Sequence, residues 1–256
     1  MADIKVNGNT YNGITHIQVA KAGGGGYQKF IEGEGQWTTE GIAAGTEPSG
    51  AIVMTGNVLA DYAFAGKPIT SFEAAEISSI ASGARAFAGC KQLVSFKCDS
   101  MVTNMGNVFE GCIALKNVDI KPIDNNYGLN YGTGFFSRCT SLEEITLYAT
   151  VGQGMLGDCT ALNKVDMHEG SLNGYIAFNN CSALKTLILR QTEVVTMHGV
   201  NVFNGTPFAS GGTGGTIYVP EALIDSYKAE ANWSILDGYG TITWKAIEGS
   251  EYDESV

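Results

Sequence analysis

Five cysteines, Cys90, Cys112, Cys139, Cys159 and Cys181, each follow a large apolar residue by three positions and precede a leucine by three. The segments read Phe87-Ala-Gly-Cys90-Lys-Gln-Leu93, Phe109-Glu-Gly-Cys112-Ile-Ala-Leu115, Phe136-Ser-Arg-Cys139-Thr-Ser-Leu142, Leu156-Gly-Asp-Cys159-Thr-Ala-Leu162 and Phe178-Asn-Asn-Cys181-Ser-Ala-Leu184. Their cysteines lie 22, 27, 20 and 22 residues apart. A recurrence at that period constrains the fold strongly, because each unit is too small to bury its own apolar face and must stack on the next.

After each leucine, apolar residues return at cysteine plus six and plus eight: Phe96 and Cys98, Val118 and Ile120, Ile145 and Leu147, Val165 and Met167, Leu187 and Leu189. Alternation at period two predicts a strand with one buried face. Stacking one strand per repeat gives a parallel sheet, and the intervening residues point away from the core. The predicted outward columns are Ser95, Asn117, Glu144, Lys164 and Thr186; then Lys97, Asp119, Thr146, Asp166 and Ile188; then Asp99, Lys121, Tyr148, His168 and Arg190. Lys97 and Asp99 are expected to pair with Asp119 and Lys121 across the strand boundary as weak surface ion pairs.

Imperfect repeats extend the array, with Phe64-Ala-Gly-Lys67 before it and Phe203-Asn-Gly-Thr206 after it. The longest interval holds Pro122-Ile-Asp-Asn-Asn-Tyr127-Gly-Leu-Asn-Tyr131-Gly-Thr-Gly134, a turn-rich stretch expected to bulge from one edge.

These repeats resemble the bacterial BspA-like leucine-rich repeats, whose consensus runs roughly Phe-x-Gly-Cys-x-x-Leu-x-x-Ile-x-Leu, over about residues 60 to 248. Thr216-Ile-Tyr-Val-Pro220, with Leu223, Tyr227-Lys228, Asn232-Trp233 and Ile242 to Ile247, is similar to the unit that closes this family. The resemblance implies a mainly β, right-handed leucine-rich-repeat solenoid with a parallel sheet on one face, acting as a surface-exposed binding or adhesion module without catalysis. The expected organisation is an N-terminal β segment over residues 1–40, a solenoid over 41–215, a cap over 216–248 and an acidic tail over 249–256, frayed at the end.

The opening stretch Ile4 to Val19 alternates like strands joined by Asn-Gly turns, and Gly23 to Gly26 separates it from Tyr27-Gln-Lys-Phe30. It resembles the opening of tail-associated structural proteins from phages and prophages of gut bacteria. That implies attachment to other virion proteins through residues 1–40. No apolar leader segment follows Met1-Ala-Asp-Ile-Lys5, so the expectation is either a chain whose leader has been removed or a virion component released by lysis; the phage-like opening favours the second. The expected location is extracellular or on a virion.

With 15 basic against 26 acidic residues the net charge is −11, which disfavours nucleic acid and anionic membrane surfaces as partners. No apolar run reaches the length of a spanning helix, so no membrane insertion is expected. The sequence leaves the oligomeric state open, although edge strands in the N-terminal segment could trimerise or dock by strand addition.

Cysteines at equivalent repeat positions stack about one strand spacing, ~4.8 Å, apart, so a buried ladder of reduced thiols is expected rather than disulfides. Cys98 takes an inward strand position and should be buried likewise. No Cys-x-x-Cys pair exists, and His16, His168 and His198 lack ligand-like spacing; no metal or cofactor is expected. Gly23–Gly26 and Gly211-Gly-Thr-Gly-Gly215 read as turns, with no following Lys-Ser or Lys-Thr to make a phosphate cradle. Adjacent Glu143 and Glu144 face opposite sides of a strand and cannot flank a glycosidic bond directly, and no Gly-x-Ser-x-Gly elbow occurs.

Binding is therefore the expected activity, with a host or bacterial surface protein or glycan as partner. The candidate contact residues are Tyr148, His168, Ile188 and Arg190 on the outward columns, since tyrosine and arginine are enriched at hot spots. A rival location is Tyr127 to Tyr131, as a protruding recognition loop. Two alternatives belong to other classes: a purely structural phage tail or decoration protein, and a glycan-active enzyme.

Overall fold

The computed structural model describes residues 49–52, 62–77, 85–103, 105–122 and 131–255 in full, and elsewhere the backbone of the short strands named next. Strands β1 (Ile4–Val6) and β2 (Asn9–Tyr11) pair antiparallel, as do β3 (His16–Val19) and β4 (Lys29–Glu32). Tyr127, the Gly23–Gly26 run and most of the insertion lie outside the described residues.

The repeats then lay down parallel strands: β5 (Gly50–Met54), β6 (Val58–Leu59), β7 (Ile69–Ala74), β8 (Ser79–Ile80), β9 (Ser95–Met101), β10 (Asn117–Pro122), β11 (Glu144–Tyr148), β12 (Lys164–Glu169) and β13 (Thr186–Leu189). β14 (Gly215–Val219), helices α1 (Ile224–Ala229) and α2 (Ala231–Asp237) and β15 (Ile242–Ala246) close the array. The strands fall into a sheet ordered β10-β9-β7-β5, a second ordered β11-β12-β13-β14-β15, and the small pair β6-β8. The sheet is thus split between β10 and β11, at the longest interval between repeats.

The backs of the turns carry the stack across that split. In successive repeats Phe87, Phe109, Phe136 and Leu156 donate their N–H to the carbonyls of Val108, Phe135, Met155 and Ala177 of the next repeat, at 2.8 to 2.9 Å. This ladder satisfies turn backbone that would otherwise be orphaned inside the protein. Behind it, Phe64, Phe87, Phe109 and Phe136 stack at ring spacings of 5.2 Å with interplanar angles of 2°, 8° and 9°. Phe72 and Phe96 from the strands meet these rings edge-on. Burying each ring contributes on the order of 1.5–3 kcal/mol, and each well-oriented pair ~0.5–1.5 kcal/mol more. Leu156 interrupts the stack, which resumes at Phe178 and Phe203.

All six cysteines are free and buried. Each repeat cysteine also donates its thiol to the carbonyl of the apolar residue that opens the preceding repeat, Cys90 to Phe64 at 2.9 Å and Cys181 to Leu156 at 3.0 Å. A small side chain with a weak donor suits this position.

Three expectations are corrected. Tyr131 is not on a protruding loop: it is 2% exposed, packs against Phe135 at 5.5 Å and anchors its backbone to Thr150. Lys97 faces Asp119 in register but pairs instead with Glu73 and Asp99, and the register slips between Ile120 and Pro122, beside Lys121. The tail is not frayed, since residues 247–255 form hydrogen-bonded turns.

Candidate functional site

The outward face of the two sheets is where side chains from many repeats converge. On the first sheet the Glu73 carboxylate accepts from Lys97 Nζ at 3.4 Å, and Asp99 lies 3.8 Å from the same ammonium. Asp99 first, then Glu73, raises the Lys97 pKa. Where β10 and β11 fail to pair, an open cleft of about 640 Å³ crosses the face, lined among others by Lys97, Asn117, Asp119, Thr146 and Lys164. Val118 at its rim is only half-buried, unlike Phe96, Ile145, Val165 and Leu187 at the same repeat position. Glu144 and Lys164 form an ion pair at 2.5 Å across β11 and β12.

On the second sheet, Tyr148 and His168 come together with ring centroids 5.0 Å apart. Arg190 closes the row: its Nε and Nη2 donate to the two oxygens of Asp166 at 2.8 and 2.9 Å. This bidentate geometry fixes the guanidinium plane, and the Asp166 hydrogen bond raises the Arg190 pKa.

Ile188 departs from the expected exposed column, for it is 0% exposed yet lies outside the apolar core. The cause is the C-terminal tail, which folds back over the outward face. The Tyr252 ring meets Tyr218 edge-on at 4.8 Å, the Tyr252 carbonyl accepts from Arg190 Nη1 at 2.9 Å, and Glu254 lies 3.2 Å from Arg190 Nη2. Tyr218 is the register neighbour of Ile188 on β14, so the tail ring that packs on Tyr218 is brought next to the isoleucine. Burial is the first cause raising the Tyr252 pKa.

Of the sequence candidates, the structure sets Tyr148, His168 and Arg190 along the outward face and buries Ile188, while Asp166 as the partner of Arg190, and Tyr218 and the tail as parts of this region, went unread. Tyr252 and Glu254, an aromatic and a carboxylate two positions apart beyond the last strand, were the available signal.

Asp166, His168 and Glu254 place one potential metal-ligand atom each within 4.8 Å of one another. Both Asp166 oxygens already accept from Arg190, so a cation would have to compete with a fixed guanidinium, and the set does not fit a metal. Carboxylates on the face stand against cations, Glu73 with Lys97, Glu144 with Lys164 and Asp166 with Arg190, an arrangement suited to recognition.

Parallel strands stacked once per repeat, a cysteine and phenylalanine ladder behind them and a capping unit at the end define a leucine-rich-repeat solenoid, mainly β with few helices. This architecture is typically a non-catalytic scaffold for binding other molecules. The profile of the BspA type leucine rich repeat region matches in six copies over residues 57–185 and 132–211, more than half of the chain, and the protein belongs to that family. Its members are commonly protein-binding or adhesion modules. Searches of curated proteins and of solved structures returned no match. Among the described residues no helix is long and apolar enough to cross a membrane.

Proposed function

We propose that this protein is a surface-displayed binding module that takes a host or bacterial surface protein or glycan on the outward face of its sheets, without chemistry of its own. The observation that carries the reading is the cleft between β10 and β11, where Asn117, Asp119, Thr146 and Lys164 offer donors and acceptors of both signs on rigid strands. Mixed polar groups across an open concavity suit a hydroxyl-rich or polar partner, and strands hold them with little conformational entropy left to lose.

Display on a bacterial or virion surface, with residues 1–40 as the attachment segment, belongs to the same proposal. The purified full chain, applied to glycan arrays and to panels of host surface proteins, is expected to retain a ligand. Asn117→Ala with Asp119→Ala is expected to weaken that binding at least tenfold while the thermal midpoint stays within a few degrees. Binding untouched by the pair would place the ligand elsewhere, and no binding on either panel would remove the reading.

A further inference from the structure

We propose that the sheet surface made by Asp166, Ile188, Arg190 and Tyr218 is a docking site for an extended, acidic, tyrosine-bearing segment of a partner protein. Residues 249–255 of this chain are its resident occupant, displaced when the partner binds. The inference deepens the binding reading by naming a partner for the second sheet, and it rests on that reading only in taking the outward face as the place where partners are met.

The receptor side is rigid and specific. Asp166, Ile188 and Tyr218 occupy adjacent positions on β12, β13 and β14 in continuous parallel register. Arg190 is locked by Asp166 with two hydrogen bonds, which leaves Nη1 aimed at a carbonyl and Nη2 within reach of a carboxylate. A guanidinium held in this way reads a backbone oxygen and an acid together, the geometry that makes arginine selective for acidic segments. Tyr218 and Ile188 supply an apolar floor for one aromatic ring. The matching ligand is Tyr-x-Glu: an aromatic whose carbonyl meets Nη1, followed two residues later by a carboxylate at Nη2. Lys164, with its ammonium 6.0 Å from the Tyr252 ring centroid, adds a cation beside that ring.

The occupant side is built to leave. Its hydrogen bonds run largely within itself, from Gly249 N–H and the Ser255 hydroxyl to Asp253 and from the Ser250 hydroxyl to the Ile247 carbonyl. The tail therefore keeps its own turns on detaching and gives up the Arg190 contacts, the packing of one ring on Tyr218 and the Lys164 ammonium beside that ring. Glu254 is 66% exposed in its docked position, so its pairing with Arg190 is a solvent-screened contact of modest worth. The tail begins three residues beyond the end of β15, at Gly249 with φ +72°, a conformation open to glycine where L-residues are strained. Beside Tyr218, a shallow recess of about 470 Å³ between Lys245 and Glu251 leaves one flank of the docked tail open to an incoming chain. Tethering places the tail at an effective concentration of order millimolar, so it competes with a partner without excluding it.

The test uses the full chain and a fluorescent peptide with the sequence of residues 249–256, together with a control peptide carrying alanine for the tyrosine and the glutamate. The tail-weakened variant Tyr252→Ala/Glu254→Ala is expected to bind the peptide at least tenfold more tightly than the wild type. The control peptide should not bind, and adding Arg190→Ala should abolish binding. In parallel, millimolar peptide added to the wild type should accelerate hydrogen exchange in its own residues 249–255 and leave β12–β14 protected. Equal affinity for wild type and variant, or no binding by a folded variant, overturns the proposal. If the variant loses its cooperative melt, the exchange measurement on the wild type decides, and unchanged tail protection at saturating peptide overturns it. Peptide binding without any surface-protein or glycan ligand keeps this inference and removes the preceding one; the converse result does the opposite.

Discussion

The thiol of Cys159 donates to the carbonyl oxygen of Phe136 at 3.1 Å, one repeat away, and Cys112 and Cys139 do the same to Phe87 and Phe109. Each of these carbonyls also accepts the N–H of its own repeat's cysteine, so the sulfur adds a second bond to an oxygen with two lone pairs. The cysteine register is thus a bond between repeats as well as a packing choice.

Replacing Cys159 by alanine removes that bond and a buried sulfur but leaves the oxygen its backbone partner. The expected cost is about 1–2 kcal/mol, the sum of a modest hydrogen bond and a small cavity. Urea unfolding with unchanged slope and a lower midpoint checks this; an unchanged midpoint would show the thiol to be a spacer only.

Two glycines in one turn answer to different physics. A Cβ on Gly152 would sit 2.0 Å from the Tyr131 carbonyl oxygen, a backbone atom that cannot step aside, whereas one on Gly154 meets nothing within 4 Å but inherits φ +55°. Gly152→Ala is expected to cost more than about 3 kcal/mol or prevent folding, and Gly154→Ala about 1–2 kcal/mol from left-handed strain. Comparing thermal midpoints of the two variants tests the order, and equal losses would contradict the close-approach argument.

What the sequence made legible follows from what repetition can encode. The cysteines, the leucines and the plus-six and plus-eight residues recur, and all of these that the structure describes turn inward except half-buried Val118, which borders the split between the sheets. The column of Gly132, Gly152 and Gly174, seven residues before Cys139, Cys159 and Cys181, was periodic over those three repeats but went unread because glycine was taken as turn punctuation. Tyr131 was misplaced because its asparagine- and glycine-rich flank masks a single buried ring. The cover over Ile188 comes from residues more than 60 positions away and outside every repeat, so no periodicity announces it.

The capping unit offers a third test. Trp233 is fully buried and donates its indole N–H to the Val195 carbonyl at 2.8 Å, while Tyr227 accepts from the Val195 N–H at 3.0 Å, so one residue of the array is held from both sides. Trp233→Phe keeps most of the apolar contact but leaves that carbonyl short of a partner, at an expected cost of about 2–3 kcal/mol. Because each repeat leans on its neighbour, the loss should be local first. Hydrogen exchange should quicken in β13 and β14 while β9 and β10 stay protected, and uniform loosening would show that the cap does not act through its nearest repeats.

Alkaline pH supplies the last prediction, with a definite sign. Burial pushes the Cys159 thiol up to about 12 and raises Cys139 and Cys181 well above the ordinary thiol range. In the unfolded chain these thiols titrate near ~8.5. Below that value both states keep the protons, and the stabilisation is fully present. Above it the unfolded chain releases protons that the folded chain retains, so stability falls as pH rises, by about 1.4 kcal/mol per pH unit for each such thiol until its folded value is reached. With several thiols acting together, the denaturation midpoint should be level up to about pH 8 and drop steeply from about pH 8.5 to 10.5. The Cys159→Ala/Cys181→Ala variant starts from a lower midpoint but should show a shallower decline. A parallel decline in both proteins would mean that other groups, such as Tyr227, which burial pushes up to about 12, set the alkaline limit.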